Sequence, residues 1–216
     1  MRTRDTSILK EFFGNFNEIT YRKGDVIVLA HDEPGGVYLI KNGVVKMSYI
    51  DSKGIEFIAN IFKPGTFFPM TWAIGEIGNE YQYEALTPVK IIKVPRDIFI
   101  QFLEDNPGVL FNLTKRILIG LDGLLFNMRN LLNGSSKSAT AVILAMLAKR
   151  FGDKTKSGKT EISIKFTHQD IANFAGITRE SATLAINQLE RQKIIIQVKR
   201  KIVVNSLSEL EKVYRA

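Results

Sequence analysis

The polar run Thr178-Arg-Glu-Ser181 contains the residue types in this sequence that are best suited to specific recognition. Arg179 can make a bidentate contact with O6 and N7 of guanine, and Glu180 can accept a hydrogen bond from the amino group of cytosine. Thr183 follows as a further candidate contact. Residues of this chemistry at the start of a helix indicate base reading in DNA.

Two helices joined by a tight turn are predicted to position these side chains. Thr167 and Asp170 have the spacing of a capping box at the start of the first helix. Gly176 is placed to end that helix in the left-handed conformation, and Thr178 to cap the second helix. Apolar residues recur at helical spacing at Ile171, Phe174, Ala175, Ile177, Ala182, Ala185, Ile186 and Leu189. This arrangement is typical of a helix-turn-helix, and the alternative is an ordinary helical hairpin in a core.

The distribution of charge supports a polyanionic partner. The 216 residues carry a net charge of +8. Residues 1–136 have equal numbers of basic and acidic side chains, so the whole excess lies in residues 137–216, which have 15 basic and 7 acidic side chains. A basic patch confined to the region of the helix-turn-helix favours double-stranded DNA as the partner.

Several classes of chemistry are excluded or disfavoured. The chain has no cysteine, which excludes disulfides and thiolate metal sites, and it has two histidines, which disfavours a histidine metal cluster. No nucleophile–base pair or phosphate-binding loop is visible, so we expect neither enzymatic activity nor a cofactor. The N-terminus lacks the apolar core of a signal peptide, and no apolar run approaches the length of a membrane span. We therefore expect a cytoplasmic protein without a membrane partner.

The N-terminal half is punctuated by glycines and predicts about eight short strands, as in a barrel or sandwich. Asn42-Gly43 stands between the apolar runs 37–40 and 44–49 and predicts a type I′ hairpin. A long helix is predicted over about residues 108–132. Its heptad seam is formed by Leu110, Thr114, Ile117, Leu121, Leu124, Met128 and Leu131, and a second stripe by Phe111, Leu118, Leu125 and Leu132. One stripe is expected to cover the strand domain and the other to pair with a second copy; the alternative is a helix fully buried within one subunit.

The C-terminal region is predicted to begin after a polar linker at 133–138. A helix over 139–151, a polar loop over 153–158 and a strand over 161–166 precede the helix-turn-helix. Two strands at 194–198 and 202–204 then form a hairpin wing. Three adjacent cations lie at its tip with no carboxylate beside them in the sequence, so we expect them to contact phosphates: Lys199, Arg200 and Lys201.

This order of elements resembles the CRP/FNR superfamily of bacterial transcription regulators over nearly the whole chain. The most specific stretch is THQDIANFAGITRES, residues 167–181. The resemblance implies an α+β fold with a jelly-roll-like β-roll (1–106), a dimerisation helix and hinge (107–134) and a winged helix-turn-helix domain (135–216). It implies base contacts by Arg179 and Glu180. It implies phosphate contacts by Thr167, His168, Gln169, Thr178 and Ser181. The sequence departs from the family at Leu184, where an arginine is usual; the leucine could contact a thymine methyl group or pack.

The β-roll resembles a cyclic nucleotide-binding domain without its phosphate cassette. Where the family's phosphate-binding Arg-Ser is expected, this chain has Gln82-Tyr83 or Tyr83-Glu84. A buried phosphate without a cation is strongly disfavoured, so we expect no cyclic nucleotide to bind. Six residues could line an apolar effector pocket or could equally be core: Phe67, Phe68, Met70, Trp72, Tyr81 and Tyr83.

The function implied is that of a homodimeric DNA-binding transcription regulator that reads a pseudo-palindromic operator. The dimer interface is predicted to involve Ile117, Leu121, Leu124, Met128 and Leu131. An unknown small-molecule effector would shift the population of dimer geometries, and RNA polymerase is a further candidate partner. The alternatives are a regulator that needs no effector and a regulatory module that acts through protein contacts.

Overall fold

The computed structural model describes residues 3–132, 134–199 and 201–215, without the side chains of 3–6, 127 and 129–132. The chain divides into two compact units, residues 1–119 and 120–216. The first unit contains α1 (Thr3–Gly14), β1 (Glu18–Tyr21), β2 (Val26–Val28), β3 (Val37–Asn42), β4 (Val45–Ile50), β5 (Glu56–Phe62), β6 (Phe67–Phe68), α2 (Met70–Ala73), β7 (Gln82–Ala85), β8 (Val89–Val94) and α3 (Arg96–Asp105). The long helix α4 (Pro107–Leu132) starts in this unit and continues into the second.

The strands form a β-roll of two antiparallel four-stranded sheets, in the orders β1-β8-β3-β6 and β2-β7-β4-β5. Alternate residues of the first sheet face opposite sides, as the pleat of a strand requires. Tyr38 and Ile91 face the second sheet, whereas Val37 and Ile92 pack against residues of α1, α3 and α4. The first unit therefore has two cores, one between the sheets and one beneath the helices.

The turn at Asn42-Gly43 does not form the predicted hairpin. β3 and β4, the strands that flank it, lie in different sheets and do not pair. Gly43 has a φ of 85°, and a Cβ at this position would lie 2.2 Å from the carbonyl oxygen of Pro88. The glycine is thus required where the chain passes close to the loop before β8 and crosses from one sheet to the other.

The N-terminal part of α4 covers the core beneath the helices with Val109 and Leu113, and Leu110 is partly buried there. Leu110 of the first heptad stripe therefore packs on this core, whereas Ile117 of the same stripe and Phe111 and Leu118 of the second stripe are exposed. Among these four residues, the expected packing of one stripe on the β-roll is thus limited to Leu110. The face of α4 that is buried against the strand unit carries Val109 and Leu113.

The second unit contains α5 (Ser136–Phe151), β9 (Gly152–Lys154), β10 (Thr160–Ile162), α6 (His168–Ala175), α7 (Arg179–Arg191), β11 (Ile195–Val198), β12 (Lys201–Val204) and α8 (Leu207–Arg215). Its strands form one antiparallel sheet in the order β11-β12-β10-β9. Residues 153 and 154, the start of the predicted polar loop over 153–158, belong instead to the edge strand β9, which pairs with β10. An edge strand tolerates exposed polar side chains. Among the residues described, no helix has the length and apolarity that a membrane crossing needs.

Candidate DNA-binding surface and β-roll interior

The turn between α6 and α7 has the geometry that the sequence predicts. The hydroxyl of Thr167 accepts a hydrogen bond from the backbone N–H of Asp170, whose carboxylate accepts one from the backbone N–H of Thr167. Gly176 ends α6 in the left-handed conformation, with φ 63° and ψ 34°. The hydroxyl of Thr178 then caps α7 by accepting from the N–H of Ser181. The predicted capping box, glycine stop and second cap are confirmed.

Helix α7 has one buried face and one exposed face. The buried face consists of Ala182, Ala185, Ile186 and Leu189. Arg179 and Glu180 are exposed in the first turn, so their side chains are available to a ligand. Asn187 and Arg191 are also exposed and continue the outer face at helical spacing from Glu180. These two residues were not predicted, although the 3.6-residue periodicity of the helix was a signal that could have found them.

A chain of hydrogen bonds joins the start of α6 to the first turn of α7. The hydroxyl of Thr183 donates to the carbonyl oxygen of Arg179 at 2.8 Å. Nδ1 of His168 lies 3.0 Å from the same hydroxyl oxygen. Because the single hydroxyl proton is directed to Arg179, the imidazole is left as the donor in the second bond. Thr183 and His168 therefore position the first turn of α7 relative to α6.

The remaining predicted contacts lie around the same turn. Gln169 is exposed at the start of α6, and its amide nitrogen donates to the side-chain oxygen of Asn173 at 2.7 Å. Ser181 is partly buried, and its hydroxyl oxygen accepts from the hydroxyl of Thr178 at 3.1 Å. Both side chains keep further hydrogen-bonding capacity towards a phosphate.

The wing forms as predicted, but Lys201 has a partner within the protein. β11 and β12 pair directly, and Lys199 at the turn has a φ of 49°. Nζ of Lys201 lies 2.5 Å from Oε1 of Glu161 on the neighbouring strand β10. The premise that no carboxylate stands beside this lysine is therefore wrong, because sheet pairing brings together residues 40 positions apart in the sequence. Arg200 lies outside the described residues.

The six candidate pocket residues are divided between the two cores of the first unit. Phe67 is buried beneath the helices, with Met70 and Trp72 packed partly against the same core. Phe68 and Tyr83 are buried between the sheets, where Tyr81 is partly buried. The division follows from strand geometry, since consecutive residues such as 67 and 68 point to opposite faces of a sheet. The six residues do not line one common pocket.

Aromatic rings pack on one another between the sheets. The ring of Phe68 stacks against Tyr83 at 4.8 Å and against Tyr38 at 5.2 Å between centroids, and the ring of Phe62 lies 5.8 Å away. The phenol of Tyr38 donates to the carbonyl oxygen of Pro34 at 2.7 Å. Burial raises the pKa of Tyr38 to about 12 and raises the pKa of Tyr83 as well. This cluster occupies the interior of the β-roll.

A buried lysine joins three strands on the outer face of the second sheet. Nζ of Lys46 on β4 lies 2.6 Å from a carboxylate oxygen of Glu56 on β5 and 3.2 Å from one of Glu84 on β7. Burial alone would lower the pKa of Lys46. The hydrogen bond to Glu56 and the charges of both carboxylates outweigh that effect, so the pKa is raised. This lysine is therefore fully paired within the protein.

The predicted dimer seam on α4 is apolar and exposed. Ile117, Leu121, Leu124 and Met128 are each between 46% and 57% exposed. The side chain of Leu131 lies outside the described residues. The second stripe is exposed too, with Phe111 at 72% and Leu118 and Leu125 at 58%. Contiguous apolar surface of this kind on a helix is typical of an interaction site.

Each of the two units contains a match to a known domain family. Residues 18–106 match the family model of the cyclic nucleotide-binding domain, and residues 140–213 match the Crp-like helix-turn-helix domain. The two matches together cover well over half of the chain.

Relatives along most of the chain are transcription regulators. The global nitrogen regulator of a Nostoc species is 27% identical over 194 residues, covering 86% of this chain and 84% of the relative. A CRP/FNR-family regulator from Thermus thermophilus has a TM-score of 0.75 at 24% identity and covers 93% of this chain and 99% of its own. FixK2 from Bradyrhizobium japonicum has a TM-score of 0.76 at 21% identity, with 93% and 98% covered. These two structures share the fold. The chain belongs to the CRP/FNR family of DNA-binding transcription regulators.

Proposed function

We propose that this protein acts as a homodimer that recognises a pseudo-palindromic DNA site through α7 and the wing. The observation that carries the proposal is the outer face of α7. Arg179 and Glu180 are exposed in the first turn of a helix whose opposite face is buried. The first turn of a recognition helix is the part that contacts base edges in the major groove.

Selection from random duplexes tests this function. The full chain is incubated with a random duplex pool, and bound sequences are recovered over several rounds by gel shift. We expect inverted half-sites whose centres are about 10 base pairs apart, or a multiple of that spacing. Binding of DNA without any enriched sequence would contradict base reading, and absence of binding would contradict the proposal as a whole.

The exposed apolar stripes of α4 support the dimer. Helices with an apolar heptad repeat associate in pairs, and the two-fold symmetry of such a pair suits an inverted repeat. Leu124→Asp would place a charge from each subunit in an apolar interface. We expect sedimentation as a monomer and a large loss of affinity for the selected site. Lys115→Glu, at an exposed position outside both stripes, is the matched control and should remain dimeric.

We further propose that the β-roll binds no cyclic nucleotide. The stacked rings of Phe68, Tyr83 and Tyr38 take up the interior, and Lys46 is already paired with two carboxylates. A cyclic nucleotide would have to displace rings and bury its phosphate without a free cation. Titration calorimetry with cyclic AMP and cyclic GMP should show no heat of binding. Binding of either nucleotide at micromolar concentration would contradict this proposal.

Allosteric control by another effector is supported by a contact between α4 and the segment that follows β5. The guanidinium of Arg116 donates to the carbonyl oxygen of Gly65 at 2.8 Å and lies over the ring of Phe67 at 5.8 Å. An effector that moved this segment would therefore act on the dimerisation helix. The packed interior favours a second candidate, a regulator that needs no effector. DNA affinity of protein refolded from denaturant, and thus free of ligands, distinguishes the two: retained affinity favours the second.

If the protein activates transcription, we propose that it also contacts RNA polymerase. Transcription in vitro from a promoter that carries the selected site separates activation from repression. Increased transcript from purified polymerase indicates an activator, and decreased transcript indicates a repressor.

A further inference from the structure

Leu184 is an apolar side chain on the otherwise polar outer face of α7. It is 64% exposed, whereas Ala182, Ala185 and Ile186 around it are buried. Glu180 lies one turn before it on the same face and is exposed. Leu184 is thus outside the core of the second unit and is available for a contact with a partner.

Exposed apolar side chains are few in this part of the molecule. Among the described residues from 134 onward, the large apolar side chains that are exposed are Leu184 and Val198. Both belong to the proposed DNA-binding surface, Leu184 on α7 and Val198 on the wing strand β11. Of the two, Leu184 is the one that lies on α7, on the same helix as the exposed Arg179 and Glu180.

The chemistry of the major groove limits what a leucine can contact. The base edges there present hydrogen-bond donors and acceptors and one apolar group, the C5 methyl of thymine. A leucine placed against a polar edge would remove water from that edge without replacing its hydrogen bonds. Against a thymine methyl, the same leucine buries apolar surface on both sides.

We propose that Leu184 reads a thymine in each half-site through the C5 methyl group of the base. This inference rests on the proposed function, because it requires that α7 enters the major groove. Leu184 follows Arg179 and Glu180 by about one turn, so the thymine lies in the same half-site as the base pairs that these two residues contact. Leu184 is then a specificity-determining residue for an A·T pair.

Replacing thymine by uracil tests the proposal at the level of one methyl group. Each thymine of the selected site is changed in turn to deoxyuridine, which pairs identically but lacks the methyl. We expect one position per half-site at which the change weakens binding of the unaltered protein about fourfold, and about 15-fold when both half-sites are changed.

Variants of the protein assign the effect to Leu184. Leu184→Ala should bind the thymine and uracil sites equally, and Leu184→Met should retain most of the difference. Val198→Ala is the matched control, because Val198 is the other exposed apolar residue, and the thymine preference should persist in it. All three variants change exposed side chains, so their thermal unfolding should match that of the unaltered protein.

The outcomes are separable. If selection yields a specific site but no thymine shows a methyl effect, or if the effect survives in Leu184→Ala, the assignment of Leu184 is wrong while the proposed function stands. If selection yields no specific site, the proposed function fails before Leu184 is tested.

Discussion

The interior of the β-roll and the outer face of α7 differ in the exposure of the side chains that could bind a ligand. Between the sheets, Phe68 and Tyr83 are each about 1% exposed and pack against each other. On α7, Arg179 and Glu180 are exposed, and the core residues of the helix face away from them. The comparison teaches that a shared fold does not imply shared ligands. In the function proposed above, α7 presents recognition groups to DNA and the β-roll interior serves for packing.

The largest expected effect comes from removing an aromatic ring from the β-roll interior. Phe68→Ala should destabilise the protein by about 3–5 kcal/mol, because it removes a fully buried ring and leaves a cavity between the sheets. Denaturant unfolding measures the change. Ile77→Ala, at a position 60% exposed, is the control and should change stability little. A loss below about 1 kcal/mol for Phe68→Ala would show that the ring is not a core element.

A substitution on the outer face of α7 should change the affinity for DNA rather than the stability of the protein. Arg179→Ala should weaken binding to the selected site by about 1–3 kcal/mol and relax the preference at one base pair. Competition gel shifts against sites changed at single positions measure both quantities. Unfolding should be unchanged, since this side chain is exposed. Equal losses on selected and random DNA would mean that Arg179 contacts phosphate instead of bases.

A smaller effect separates two lysines of the wing. Lys199→Ala should lower the salt dependence of DNA binding by about one unit of log–log slope. Lys201→Ala should change the slope much less, because its ammonium is paired with Glu161. Affinity measured at several salt concentrations gives both slopes. Equal slopes for the two variants would show that the ion pair opens when DNA binds.

Local signals explain what was predictable. The caps at Thr167 and Thr178 and the glycine at 176 act within a single turn of chain, and each was visible in the sequence. The strand-rich N-terminal half and the long helix also followed from glycine punctuation and heptad spacing, whereas the β-roll was implied by the family resemblance. In each of these cases, the residues that determine the conformation are neighbours in the chain.

Pairing between distant segments explains what was missed. Asn42-Gly43 is a good hairpin turn by local criteria, but the strands that it joins pair with other strands. Lys201 looks unpaired in the sequence, whereas its partner Glu161 is supplied by β10. The separation of Phe67 from Phe68 was accessible in principle from the alternation of strand residues, but it required knowing that both belong to β6.

The ion pairs of Lys46 have a consequence for how the second sheet aligns as it folds. Lys46 contacts Glu56 on one neighbouring strand and Glu84 on the other, so its two ion pairs form only when β4 is in register with both neighbours. A slip of β4 by one residue would turn this lysine towards the aromatic interior and separate its ammonium from both carboxylates. Because an unpaired charge in that interior is strongly unfavourable, misaligned sheets are selected against. Lys46 thus favours the native strand register over registers shifted by one residue. Apolar contacts specify the register less strictly, because apolar side chains can pack together in many arrangements.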